Sequence, residues 1–166
     1  MTAAFNYDDF TKNYNAAMAA LAPLRARVSF KSFKEVKALS EETLCFSAVL
    51  VFDGKPVATA TNRGHGGCTE IHFTHKEVEA EVIAIFKALA GEKPLVGFDS
   101  FIDEAVNQFA EEADWVKFAA RWNKKGWTCL RIKGEGYGRI NTRNAIEVAD
   151  YAKKLTAKGK TITATL

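Results

Sequence analysis

Residues 44–61 read LCFSAVLVFDGKPVATAT, and the fold turns on how this stretch is taken. Leu44 to Phe52 is apolar on both faces of an extended chain, the mark of a central strand. Asp53-Gly54 follows, a pair suited to the two central positions of a type I′ turn, both of which need φ > 0. Val57 to Thr61 returns as the partner strand. Pro56 stands at its start, where a missing N–H matters least.

Upstream, Phe10, Tyr14, Ala17, Met18 and Leu21 recur at helical spacing, so Tyr7 to about Leu21 is a helix that Pro23 stops. Val28 to about Val36 reads as a strand, with a short helix as the competing reading, and SEET (40–43) is a turn. Downstream, Glu70 to Phe73 is a short strand. Thr74-His75-Lys76-Glu77 fits a capping box. It opens a helix with Val78, Val82, Ile85, Phe86 and Leu89 on its buried stripe, closed by Gly91. A long helix runs from Ser100 to about Lys124, a strand from Trp127 to Ile132, and GEGYG (134–138) is a turn. Arg139-Ile140 is a short strand. Asn144 to Ala157 is a helix using Ile146, Val148, Tyr151, Ala152 and Leu155. Lys160 to Leu166 ends the chain as a strand with Ile162, Ala164 and Leu166 on one face. Clustered strands followed by alternation predict an α+β fold: one globular domain over residues 1–166, an antiparallel or mixed sheet, helices mainly on one face, and a C-terminal strand.

Composition fits this. The chain has 166 residues, 48% of them hydrophobic, with twelve phenylalanines, enough for a core without staples. The formal charge of +3 neither shows nor excludes a nucleic-acid partner. The start lacks a basic segment followed by an apolar run, and the apolar runs fall short of the ~20 residues a membrane span needs. Cys45, Cys68 and Cys129, odd in number and widely spread, favour a reducing, cytoplasmic setting over a disulfide framework.

Residues 62–77, NRGHGGCTEIHFTHKE, hold all three histidines. His65, Cys68, His72 and His75 are residue types that zinc prefers. With a bound water they would serve a hydrolase or nuclease. Their spacing matches no well-known zinc signature. Gly64, Gly66 and Gly67 offer a second reading, a nucleotide or phosphate cradle in which backbone N–H groups converge on an oxyanion and Arg63 or His65 adds charge. No Gly-Lys-Ser/Thr ending follows, and the next helix starts late for its dipole to help. The plainer reading is a tight loop with no cofactor, its glycines set by turn geometry.

The long helix carries two apolar stripes. Ile102, Ala105, Val106, Phe109, Ala113, Val116 and Ala120 share one face, while Trp115, Phe118 and Trp122 fall on another. Such a helix is either sandwiched or presents a patch. Lys117, Arg121, Lys124 and Lys125 lie nearby, so an acidic protein or a nucleic acid is a partner class to weigh. Trp115 and Trp122 packing beneath a loop or against the Trp127 strand is the competing reading, as is Tyr137 folded back on the sheet.

Residues 44–68, LCFSAVLVFDGKPVATATNRGHGGC, resemble a family of small, uncharacterised bacterial and phage proteins with a strand, an Asp-Gly-Lys hairpin, a second strand and an Asn-x-Gly-x-Gly-Gly loop. The resemblance covers about Leu44 to Phe73. It implies a phage or mobile-element setting and transfers no catalytic residue. Together these readings lead to the expectation of a non-catalytic protein that binds and modulates a host protein or protein complex. Its partner-binding residues would be Arg63, His65, Trp115, Phe118, Trp122 and Tyr137.

Overall fold

The computed structural model describes residues 6–91 and 93–165. The fold is α+β with antiparallel sheets, and the chain forms two compact units, one through Phe109 and the other from Ala110 onward. Leu166, expected on the face of the last strand, lies outside the described residues.

In the first unit, β1 (Val28–Glu35), β2 (Phe46–Phe52), β3 (Lys55–Asn62) and β4 (Glu70–Phe73) form an antiparallel meander in chain order. The hairpin at its centre is the one the Asp-Gly pair predicts: Phe52 faces Lys55, and Asp53 (φ 49°) and Gly54 (φ 78°) both lie in the left-handed region. One face of the sheet is the core face. Phe30, Leu50, Ala58 and Phe73 stand in a cross-strand row, beside Ala48, Ala60 and Ile71. The row Lys31, Val49, Thr59 and His72 lies on the opposite face.

Helices supply the other half of this core. These are α1 (Tyr7–Ala20), the short α2 (Ala22–Arg25), α3 (Lys76–Ala90) and the first part of α4 (Phe98–Asn123). Leu24, Val82, Phe86, Phe101, Ile102, Ala105 and Val106 pack with the sheet residues. Apart from Ala105, each of these fully buried side chains contributes roughly 1.5–3 kcal/mol. Pro23 does not simply stop the first helix. It sits in the first turn of α2, where its missing N–H would be unpaired anyway. Asn6 caps α1, its side chain accepting from the Asp8 and Asp9 N–H groups.

The capping box at Thr74 does not form. His75 is the N-cap of α3, and the Thr74 backbone N–H and hydroxyl both donate to the Val57 carbonyl. A partner seventeen residues upstream holds the hydroxyl that the local motif would use.

In the second unit, β5 (Thr128–Ile132) is flanked by β6 (Gly136–Ile140) and β7 (Ile162–Thr165), both antiparallel to it. The expected GEGYG turn is half strand: Gly136, Tyr137 and Gly138 pair with Ile132, Arg131 and Leu130. The last part of α4 and α5 (Ala145–Ala157) complete the unit, with Asn144 capping α5. Only Leu155 of the apolar positions on α5 is buried; Ile146 is 73% exposed.

The two stripes of α4 have separate destinations. Phe101, Ile102, Ala105, Val106 and Phe109 serve the first core. Trp115, Phe118, Ala119 and Trp122 serve the second. Val116, expected on the first stripe, is 53% exposed.

Candidate functional site

The glycine-rich loop belongs to the first unit, and its hydrogen bonds show what it is built for. Asn62 is the last residue of β3, 8% exposed on the core side. Its Oδ1 accepts from the Gly64 N–H at 2.9 Å and from Thr43 Oγ1 at 2.9 Å, and its Nδ2 donates to the Gly67 carbonyl at 3.1 Å. The Gly64 carbonyl in turn accepts from the N–H groups of Glu41 (3.0 Å), Glu42 (2.9 Å) and Thr43 (3.3 Å). At the far end, the Thr69 N–H and hydroxyl both donate to Asp103 on α4.

This is the reverse of an anion cradle. The N–H groups that converge belong to residues 41–43, and they already converge on a carbonyl. The Gly64 N–H is taken by Asn62. The Glu42 carboxylate lies against Gly66, and a cleft of about 380 Å³ beside the loop is lined by Glu41, Glu42 and Asp103 among others. A phosphate there would meet negative charge at close quarters.

The zinc-type residues are not gathered either. His65 faces Glu41 at 3.2 Å, His72 faces Glu70 at 3.9 Å, and His75 stands at the N-cap position of α3 without a side-chain capping bond. The Cys68 thiol bonds to Asp99, whose carboxylate holds the thiol above its ordinary range by accepting that bond and by its charge. Among the described residues no three His, Cys, Asp or Glu side chains converge as a metal-binding group.

Asn62→Asp tests this loop reading. The change keeps the two acceptor bonds but sets a carboxylate oxygen against the Gly67 carbonyl, two acceptors without a proton in a partly buried place. A loss of about 1–3 kcal/mol in urea unfolding is expected. An unchanged midpoint would mean that Asn62 does not hold the loop.

The second unit carries the more suggestive surface, though not in the form expected. Trp115 is 2% exposed, 6.2 Å from the Phe118 ring and 5.4 Å from Tyr137, so it is core and cannot meet a partner. Tyr137 does not sit at a hairpin tip. It folds back, its hydroxyl donating to the Glu111 carbonyl at 2.8 Å, and burial pushes its phenol up. Phe118 is half-buried, 5.2 Å from Tyr137. Arg63 and His65 are exposed on the loop of the first unit.

Trp122 is different. It is half-buried, edge-on to Trp127 at 5.7 Å, and surrounded by cations. The Arg139 guanidinium lies 3.6 Å from its ring centre, the Lys125 ammonium 4.9 Å and the Arg121 guanidinium 5.5 Å. Arg139 also reaches the Trp127 ring at 5.2 Å, and Arg143 donates to the Asn123 carbonyl. Cations over indole faces gain from the ring quadrupole, about 0.5–1 kcal/mol each where exposed.

The charge of this segment is lopsided. From Lys117 to Arg143 there are eight Lys and Arg against a single acidic residue, Glu135. The whole second unit holds twelve Lys and Arg against six Asp and Glu, a net of +6. The first unit holds eleven against fourteen, a net of −3. The overall +3 hides this division. Lys117 faces Asp114, Arg131 is held by Glu111 and Glu112, and Lys160 is paired with Glu135. Among the described residues no carboxylate pairs with Arg121, Lys124, Lys125, Arg139 or Arg143.

Trp127, Arg139 and Arg143 were not among the residues that spacing selects. The available signal was the alternation of β6, which puts Tyr137 and Arg139 on one face, and that face became visible only with the pairing of Cys129 to Arg139. No helix among the described residues is long and apolar enough to cross a membrane. Compared with known proteins, the chain matches no family model, no curated protein and no solved structure.

Proposed function

We propose that the chain is a non-catalytic binding protein that recognises an acidic macromolecule through the surface around Trp122 in its second unit. The observation that carries this is a set of cations that pair with no carboxylate among the described residues: Arg121, Lys125 and Arg139 over the indoles of Trp122 and Trp127, with Lys124 next to them in the chain and Arg143 bonded to Asn123. Fixed positive charge of this kind steers and holds polyanions. A binding role also agrees with the cysteines. Asp99 keeps the Cys68 thiol protonated and burial does the same for Cys129, the opposite direction from an activated nucleophile. That the partner belongs to a host rests on the resemblance of residues 44–73 alone.

Immobilised heparin, a generic polyanion, tests the reading. The protein should be retained at low salt and elute as salt rises through roughly 0.05–0.2 M, since exposed charges are screened over about 10 Å at 0.1 M. Lys124→Glu combined with Lys125→Glu should weaken retention strongly while the protein stays folded, with a thermal midpoint lowered by no more than the loss of the Lys125–Trp122 contact. Flow-through of the parent protein at low salt would end the proposal.

A further inference from the structure

We infer that the acidic macromolecule is a single-stranded nucleic acid, with the Arg139 plane and the Trp122–Trp127 pair as its base-stacking platform; this rests on the preceding reading of the same surface. Charge alone does not choose between a nucleic acid and an acidic protein. The planar groups do. Arg139 lies against the face of one indole and near a second, and it is itself exposed on an edge strand. A guanidinium backed by an indole is a rigid flat cation whose outer side remains open. Nucleobases stack on such planes and on aromatic rings, and the interaction tolerates any base because every base has a π face.

A duplex keeps its base faces covered by their neighbours, so this platform has a use only where bases are unstacked. Phosphate contacts position a strand without reading it. Here they fall to Arg121 in the last turn of α4, Lys124 and Lys125 in the turn that follows it, and Arg143 just before α5. Flat and charged groups thus meet around Trp122, an arrangement that suits a single strand better than an acidic peptide.

The test uses the full chain and three probes: a fluorescein-labelled oligo(dT) about 20 nucleotides long, a duplex of the same length, and heparin. Anisotropy should rise with the single strand at lower protein concentration than with the duplex, and tryptophan emission should be quenched. Arg139→Lys keeps the charge and removes the plane. It should weaken oligo(dT) binding about tenfold while leaving heparin retention nearly unchanged. Replacing Lys124 and Lys125 by Glu should weaken all three probes and lower the salt slope by about two.

Equal affinity for duplex and single strand, with Arg139→Lys indistinguishable from the parent, would overturn the single-strand inference and leave the acidic-macromolecule reading standing. Failure to bind any of the three probes would remove both. A parental far-ultraviolet circular dichroism spectrum of the free variants serves as the control for folding.

Discussion

Gly64→Ala is expected to leave the first unit largely unfolded under conditions where the parent is native. An added Cβ would sit 2.0 Å from the Leu39 carbonyl oxygen and 2.9 Å from the Cβ of Cys45. The first of these is backbone, which cannot swing aside as a side chain can. The residue also holds φ at 87°, which disfavours any L side chain by about 1–2 kcal/mol. Its carbonyl accepts three N–H groups, and moving the peptide to relieve the clash gives up bonds of about 1 kcal/mol each. The combined loss is about 4–5 kcal/mol, close to the whole stability of many small domains. Gly67→Ala is the control. That residue has φ at 90° but nothing within 4 Å of an added Cβ, so only the conformational part, about 1–2 kcal/mol, applies. Urea midpoints from far-ultraviolet circular dichroism separate the two. Equal shifts would show that the approach to Leu39 does not constrain the loop.

That loop marks where sequence ceased to be informative. The Asp53-Gly54 hairpin was legible because its cause is local: two adjacent residues that tolerate positive φ, between apolar strands. The NRGHGGC loop was not, because its cause is distant. Asn62 takes its hydroxyl partner from Thr43, nineteen positions away, and Gly64 is shaped by Leu39 and by residues 41–43. The glycines advertised close approach without saying to what. Histidines that looked like a ligand set in one dimension ended apart, His65 beside Glu41, His72 beside Glu70 and His75 at the start of α3. The same limit explains Thr74, whose hydroxyl found Val57 before the helix could use it. For α4, periodicity separated the two stripes but carried the first one too far, through Ala113, Val116 and Ala120, none of which joins the first core. It could not show that each stripe served a different unit, since a helical wheel carries angle and no position along the axis. Arg139 was hidden for another reason. A single cation on a strand is ordinary until the sheet register brings it over an indole.

Trp115→Ala should unfold the second unit, and the effect follows from how little else that core contains. Trp115, Ala119 and Cys129 are the buried centre of its aromatic cluster, with Phe118, Trp122, Tyr137 and Ala164 packed around them, and Leu130 and Leu155 are the main other apolar side chains the unit buries. Removing the largest of these leaves Phe118 and Tyr137 facing a void, since both rings lie against the indole now lost. Truncating a buried Trp costs about 3–5 kcal/mol, and a small core cannot collapse to fill the space. All three tryptophans of the chain lie in residues 110–166, so the two that remain report on this unit directly. Their emission should shift to the red, with a lowered urea midpoint. Val116→Ala, at the adjacent and 53% exposed position, should stay within about 0.5 kcal/mol of the parent. The contrast bears on function. If Trp115 were part of a docking surface, its loss would spare the emission of Trp122 and Trp127 and weaken only binding. A Trp115→Ala protein with a parental urea midpoint and circular dichroism spectrum would therefore move that indole from core to surface. A red-shifted one that has also lost oligo(dT) binding would show instead that the platform at Trp122 and Arg139 depends on the packing beneath it.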